Sequence, residues 1–316
     1  MTRVAAIDCG TNSIRLLVAD VPERGAHTDL LRRMEVVRLG QGVDATGRLA
    51  PAAIERTRVA LAEYAAVARE LGVAAVRMAA TSASRDASNR ADFEEMVSAT
   101  LGRLPDVITG REEAELSFLG ATASLDAATG AHGSPPPPPP FLVVDIGGGS
   151  TEFVLGDADG VRAARSVDIG CVRLTERHLH GDPPTPGEIR RAEEDIRAAL
   201  AEVTAEVPVS DAVSLVGLAG SVTTVAALAL ELPEYDSVAI HGSRISVDAV
   251  RAVTADLLAA TRERRAAMPV MHPGRVDVIG AGALILRVLM DEFGQDEVVV
   301  SEHDILDGIA LRLARG

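Results

Sequence analysis

Two short segments place acids, glycines and hydroxyls where they could grip phosphate. In the first, Asp8 is followed by Gly10, Thr11, Asn12 and Ser13. In the second, Asp145 is followed by Gly147, Gly148, Gly149, Ser150, Thr151 and Glu152. Glycine leaves no side chain between a ligand and the main chain, so successive N–H groups can converge on one anion. Asn12, Ser13 and Ser150 add side-chain donors. Asp8, Asp145 and Glu152 are oxygen donors of the kind that hold Mg²⁺ directly or through water. Capping a turn is the other use of such acids, and it stays open for each. Two familiar phosphate sites are excluded. A P-loop needs a lysine, and the chain contains none. A Rossmann turn needs a helix after its glycines, whereas Thr151–Leu155 is a β-forming run.

Two further segments carry charge at predicted element ends. ATSASRDASNR, residues 80–90, puts Arg85 at the tip of a hydroxyl-rich turn. An arginine there suits a phosphate clamp or plain solvation. TGREEAELSFLG, residues 109–120, opens a helix with Glu112 and Glu113 in its first turn. Acids at a helix start complement the dipole, so capping competes with a role in acid–base chemistry. GLAGSVTTVAAL (217–228) and DVIGAGALIL (277–286) read as glycine-containing strand-to-helix turns that packing alone explains. His178 and His180 stand two apart and do not share a helix face, which argues against a metal pair. Cys9 and Cys171 match neither a metal spacing nor a disulfide framework, and a reduced compartment follows.

Charge and composition narrow the partners. The chain carries 46 acidic against 31 basic residues, a net of -15, with 2% aromatics and no tryptophan. A nucleic-acid binder would be expected to show a basic face and stacking aromatics, so nucleic acid is not expected as a ligand. A polyanion of another kind needs local positive field from main-chain N–H groups, a few arginines and bound cations. The first residues show no signal-peptide pattern, and no apolar run approaches the roughly 18 residues of a membrane span. A cytoplasmic protein without membrane partners is expected.

These residues need elements to position them, and a repeat supplies the outline. AAIDCGTNSIRLLVAD (5–20) superposes on LVVDIGGGSTEFVLGD (142–157) at an offset of 137 residues, from Asp8 to Asp145. The superposition aligns Gly10 with Gly147 and Ser13 with Ser150. Each copy reads as strand, tight turn, strand, which points to duplication. Helical periodicity predicts helices over 51–71, 91–103 and 112–128, then 186–206, 220–231, 247–265, 276–293 and 303–315. Short strands fall at 73–79 and 213–218, giving an α/β architecture. The expected division is a first domain over 1–128, a proline-rich linker over 129–140 and a second domain over 141–316. Six consecutive prolines, 135–140, read as a stiff polyproline II spacer.

The ordered set IDCGTNS, ATSASRDASN, TGREEAELSFLGA, VVDIGGGSTEFVLG, DIGCVRL, GLAGSVTT, DVIGAGALIL and SEHDILDGIA resembles the exopolyphosphatase and guanosine pentaphosphate phosphohydrolase family, over essentially the whole chain. The resemblance implies two duplicated actin-like (ribonuclease H-like) domains around a central cleft. It implies hydrolysis of terminal phosphate from inorganic polyphosphate, with Mg²⁺ or another divalent cation. By motif, Glu113 matches the catalytic acid that orients or deprotonates water. Asp145 and Glu152 match the acids of the second glycine turn, serving metal and catalysis, and Asp8 joins them at the first. Gly147, Gly148 and Ser150, with Gly10, Asn12, Ser13 and Arg85, match the phosphate-holding positions. The chain resembles the short form of the family, without an additional C-terminal helical domain. Guanosine pentaphosphate is the alternative substrate. A small-molecule kinase and a nucleotide sensor without turnover are the readings of other classes, and a homodimer is left open.

Overall fold

The structure is a computed structural model that describes residues 1–23, 27–125 and 135–315. Part of the expected linker, residues 129–134, lies outside them. The chain divides into two compact units: Met1–Ala123 with Asp304–Gly316, and Ser124–His303.

The first unit is built on a five-stranded sheet. Its strands are β1 (Thr2–Cys9), β2 (Ser13–Val21), β3 (Thr28–Val36), β4 (Ala75–Ala80) and β5 (Asp106–Val107), in the order β3-β2-β1-β4-β5. The β1–β2 pair is antiparallel and β1–β4 parallel, so β1 is central. Its side chains alternate between two apolar layers. Ala5, Ile7 and Cys9 pack with Leu61, Tyr64 and Phe93, from the helices Pro51–Glu70 and Arg90–Leu101. Val4 and Ala6 pack with Leu116 of the helix Gly110–Leu125 and with Ile305, Ile309 and Ala310 of the helix Ile305–Arg315.

The second unit repeats the plan. Its strands are β6 (Phe141–Ile146), β7 (Thr151–Asp157), β8 (Gly160–Val167), β9 (Ser214–Leu218), β10 (Arg244–Ser246) and β11 (Glu297–Val300), in the order β10-β11-β9-β6-β7-β8. Strand β6 pairs antiparallel with β7 and parallel with β9, as β1 does with β2 and β4. The copies agree in detail. The pairing of β2 with β3 shifts register between Val18 and Ala19, and that of β7 with β8 between Leu155 and Gly156, the same offset as Asp8 to Asp145. Helices Pro186–Glu206, Ala219–Ala229 and Ile279–Glu292 bury Ile196, Leu200, Val225 and Leu284 against Leu142, Val144 and Phe153.

Three departures from expectation have physical causes. Each repeat is a three-stranded meander, because β3 and β8 add an edge strand to the hairpin. The helix expected over 247–265 breaks into Val247–Ala259 and Arg262–Ala266, where the Thr261 hydroxyl accepts from the Arg264 N–H and starts a new N-terminus. The C-terminal helix belongs to the first unit and not to the second, because its apolar face is matched by the β1–β2 layer. The six consecutive prolines, residues 135–140, belong to the second unit. Pro140 accepts from the Val213 and Ser214 N–H groups, Pro138 from the Ser214 hydroxyl and Pro135 from Arg244. Among the described residues, no helix is long and apolar enough to cross a membrane.

Candidate active site

In the first unit, the Gly10 N–H donates to the Ser13 carbonyl at 3.0 Å and closes the turn between β1 and β2. Two neighbours fix it. The Thr11 and Ser82 hydroxyls hydrogen-bond at 2.8 Å, tying the turn to the short helix Ser82–Asp86 that carries Arg85. The Arg38 and Gly40 N–H groups donate to the Asn12 and Thr11 carbonyls, each at 2.8 Å. Gly40 approaches so closely that a β-carbon there would lie 2.3 Å from Thr11 Cγ2. Asn12 and Ser13 are partly exposed at this turn.

Asp8 is 4% exposed near the end of β1, directly opposite Arg15. Arg15 Nε and Nη2 donate to Asp8 Oδ2 at 3.0 and 2.7 Å, and Arg15 Nη1 donates to Asp304. Burial pushes the Asp8 carboxyl above its usual range, the Arg15 guanidinium pulls it back, and the Asp304 charge adds to the rise.

The helix Gly110–Leu125 separates its two first-turn acids. Glu112 turns to the surface and accepts from Arg77 at 2.8 Å. Glu113 is buried, and its Oε2 accepts from Arg85 Nη1 at 3.1 Å. The same Nη1 donates to the Ile108 carbonyl at 3.1 Å, which orients the guanidinium. Arg85 and Glu113, read from separate motifs, thus meet in one pair.

In the second unit, the Gly147 N–H donates to the Ser150 carbonyl at 3.0 Å, the counterpart of the Gly10 bond. The helix Cys171–His178 sits on this turn from one side. Its Cys171, Val172 and Arg173 N–H groups donate to the Gly147 and Gly148 carbonyls, and Arg173 Nε donates to the Gly149 carbonyl at 2.7 Å. With these carbonyls engaged, the Gly148, Gly149 and Ser150 N–H groups have no main-chain acceptor among the described residues outside the strand ladders. That is the arrangement an anion needs.

Asp145 and Glu152 are directly opposed across β6 and β7, 7% and 1% exposed. Ser166, opposite Glu152 on β8, donates its hydroxyl to Glu152 Oε1 at 2.8 Å. The corresponding slot in the first unit holds Asp8 opposite Arg15. There an acid faces a guanidinium; here an acid faces an acid. Like charges directly opposed across strands are unfavourable. An all-oxygen pair of this kind fits the donor set of a hard divalent cation.

Several contributors were missed in the sequence. Arg15 looks like an ordinary strand residue, Ser166 acts only through strand pairing, and the helix Cys171–His178 is too short for a periodic signal. DIGCVRL, which contains its start, was the available clue. Arg275 lies over Gly220, where a β-carbon would be 2.3 Å from its Cζ, and donates to the Thr224 hydroxyl at 3.0 Å. The preceding Ala219 holds φ 68, a conformation that side-chain-bearing residues rarely adopt. His178 pairs with Asp195 at 3.0 Å, while His180 is exposed.

Known proteins share this arrangement of elements. A model described as the Ppx/GppA phosphatase family matches residues 17–315. Exopolyphosphatase 2 of Mycobacterium tuberculosis is 53% identical over 326 aligned residues, covering 99% of each chain. A solved exopolyphosphatase-like protein is 42% identical and superposes with a TM-score of 0.92 over 99% of each chain. The Ppx-GppA enzyme of Aquifex aeolicus is 33% identical with a TM-score of 0.80, over 98% of this chain and 99% of its own.

Proposed function

Because the chain belongs to the Ppx/GppA phosphatase family and is a phosphoanhydride hydrolase, we propose that it is an exopolyphosphatase releasing orthophosphate from the ends of short and medium inorganic polyphosphate. The observation that carries the reading is the buried Glu113, held by Arg85 and set apart from its neighbour Glu112.

In the first unit, Glu113 is the group that orients water and accepts its proton, and Arg85 is the phosphate-binding arginine beside it. Gly10, Asn12 and Ser13 present donors to phosphate oxygens. In the second unit, Gly147, Gly148 and Ser150 form the main-chain cradle. Phosphoryl transfer asks the protein mainly for positioning and charge stabilisation, and these groups supply both. The opposed carboxylates of Asp145 and Glu152 are the residues that would hold a divalent cation, Mg²⁺ in our reading. Bound there, the cation would neutralise charge developing on phosphate oxygens. Asp8, gripped by an Arg15 that also reaches Asp304, serves the turn more than the metal. A cytoplasmic location belongs to the same reading.

The test is phosphate release by the purified protein from tripolyphosphate, medium polyphosphate, guanosine pentaphosphate and ATP, with and without excess chelator. The highest kcat/KM should fall on an inorganic polyphosphate, and the chelator should abolish turnover. A higher kcat/KM for guanosine pentaphosphate would reassign the substrate to the nucleotide. Full activity in chelator would remove the metal role of Asp145 and Glu152.

A further inference from the structure

We propose that Asp304 is a positioning residue that acts through Arg15 to hold Asp8, and with it the Gly10–Ser13 turn, in a phosphate-binding geometry. The inference rests on reading that turn as a phosphate site.

Arg15 is a single guanidinium shared between two buried acids. Its Nε and Nη2 fork grips Asp8, and its Nη1 reaches Asp304, which is 4% exposed. A planar guanidinium engaged on two edges cannot rotate without losing one partner. Asp8 lies two residues before Gly10, so the direction of its carboxylate and the entry of the turn are fixed by the same strand end.

Asp304 is itself fixed. It stands just before the helix Ile305–Arg315, its N–H donates to Asp307 at 2.8 Å, and its Oδ1 accepts from the Leu306 N–H at 3.0 Å. That helix crosses the helix Gly110–Leu125 at main-chain contact. A β-carbon on Gly120 would lie 1.8 Å from the Asp304 carbonyl, and one on Gly308 would lie 2.0 Å from the Leu116 carbonyl. The helix that carries Glu113 and the residue that anchors Arg15 are therefore locked to each other.

A charge effect would act in the opposite direction, which makes the proposal testable. Removing a negative charge near a phosphate site favours the anion, so Asp304→Asn would lower KM if Asp304 acted only through its field. If Asp304 positions Arg15, the same substitution weakens one arm of the fork. KM for tripolyphosphate should then rise about tenfold, with kcat within about twofold because Glu113 is untouched. Coupling of this size is typical of groups in direct contact. The measurements are KM and kcat, the tripolyphosphate Kd by titration calorimetry, and circular dichroism, for wild type, Asp304→Asn, Arg15→Lys and the double variant. Lysine keeps the charge but cannot span two acids. In its background Asp304→Asn should add less than about twofold. Should Asp304→Asn fail to fold, Arg15→Lys alone carries the same expected rise in KM and Kd. A fall in KM, additive effects, or a loss of thermal stability with unchanged KM and Kd would overturn the positioning role. A wild type that binds tripolyphosphate without hydrolysing it, with a Kd still sensitive to Asp304→Asn, would sink the exopolyphosphatase reading and leave the positioning role standing. A wild type that does not bind tripolyphosphate would overturn the phosphate turn and the proposal with it.

Discussion

At the scale of single residues, chemistry is decided by what lies opposite. Asp8 and Asp145 occupy equivalent strand ends, yet Arg15 faces one and Glu152 the other. The repeat in the sequence shows the similarity and hides this difference, since a register pair is invisible until the strands are paired. Glu112 and Glu113 make the same point. Adjacent in sequence and equal as dipole partners, they are separated by the helix, which turns Glu113 inward to Arg85 and Glu112 outward to Arg77. Glu113→Gln should therefore lower kcat by roughly 10²–10⁴-fold, the range expected when a general base is lost. Glu112→Gln should stay within about threefold of wild type. Steady-state kinetics on tripolyphosphate distinguish the two; equal losses, or a Glu113→Gln enzyme keeping half its turnover, would remove Glu113 from that role.

At the scale of elements, the hairpins were legible because alternation, a glycine turn and an acid recur together. The long helices were legible from their period, and Pro186–Glu206 begins and ends as read. The edge strands were not. β3 reads TDLLRRMEV, with most side chains solvated, so no alternation marks it. The C-terminal helix was legible as a helix, but its partner, the apolar layer of β1 and β2, is a long-range match that the pattern does not encode. The helix Cys171–His178 is the omission that matters most, because it engages the carbonyls of the second glycine turn. Gly170 leads into it at φ -155, an extended conformation open to any residue, so the need for glycine there is steric. A β-carbon would sit 2.4 Å from the Gly148 carbonyl oxygen and 2.6 Å from the Gly149 nitrogen. Gly170→Ala must displace that turn. Overpacking against main chain costs about 1–3 kcal/mol, so Tm should fall by a few degrees and KM for tripolyphosphate should rise about tenfold. A lowered Tm with an unchanged KM would show that the turn does not hold phosphate.

At the scale of the whole molecule, the question is how far a polyanion can be held. The chain carries a net charge of -15 with arginine as its only strong base. Many of those arginines are matched by acids, as in Arg3 with Asp20, Arg58 with Glu55 and Arg251 with Asp291. A matched arginine adds little field beyond the Debye length, about 8 Å at physiological ionic strength. On our reading, phosphates past the first few therefore gain little from the rest of the chain. A protein that tracks a polyanion along 6–10 phosphate contacts loses about 10³–10⁵ in affinity between 50 and 200 mM salt. This chain should behave otherwise. Expressed per chain end, kcat/KM should level off by about ten phosphate units. For chains of several hundred units it should change by less than about threefold over that salt range. Part of the small response should be a gain as the net repulsion is screened, since the opposing charge is spread over the molecule. Both quantities come from initial rates on size-fractionated polyphosphate at fixed free Mg²⁺. A preference of a hundredfold or more for the longest chains, lost steeply with added salt, would mean that a basic track exists and that recognition extends well past the first few phosphates.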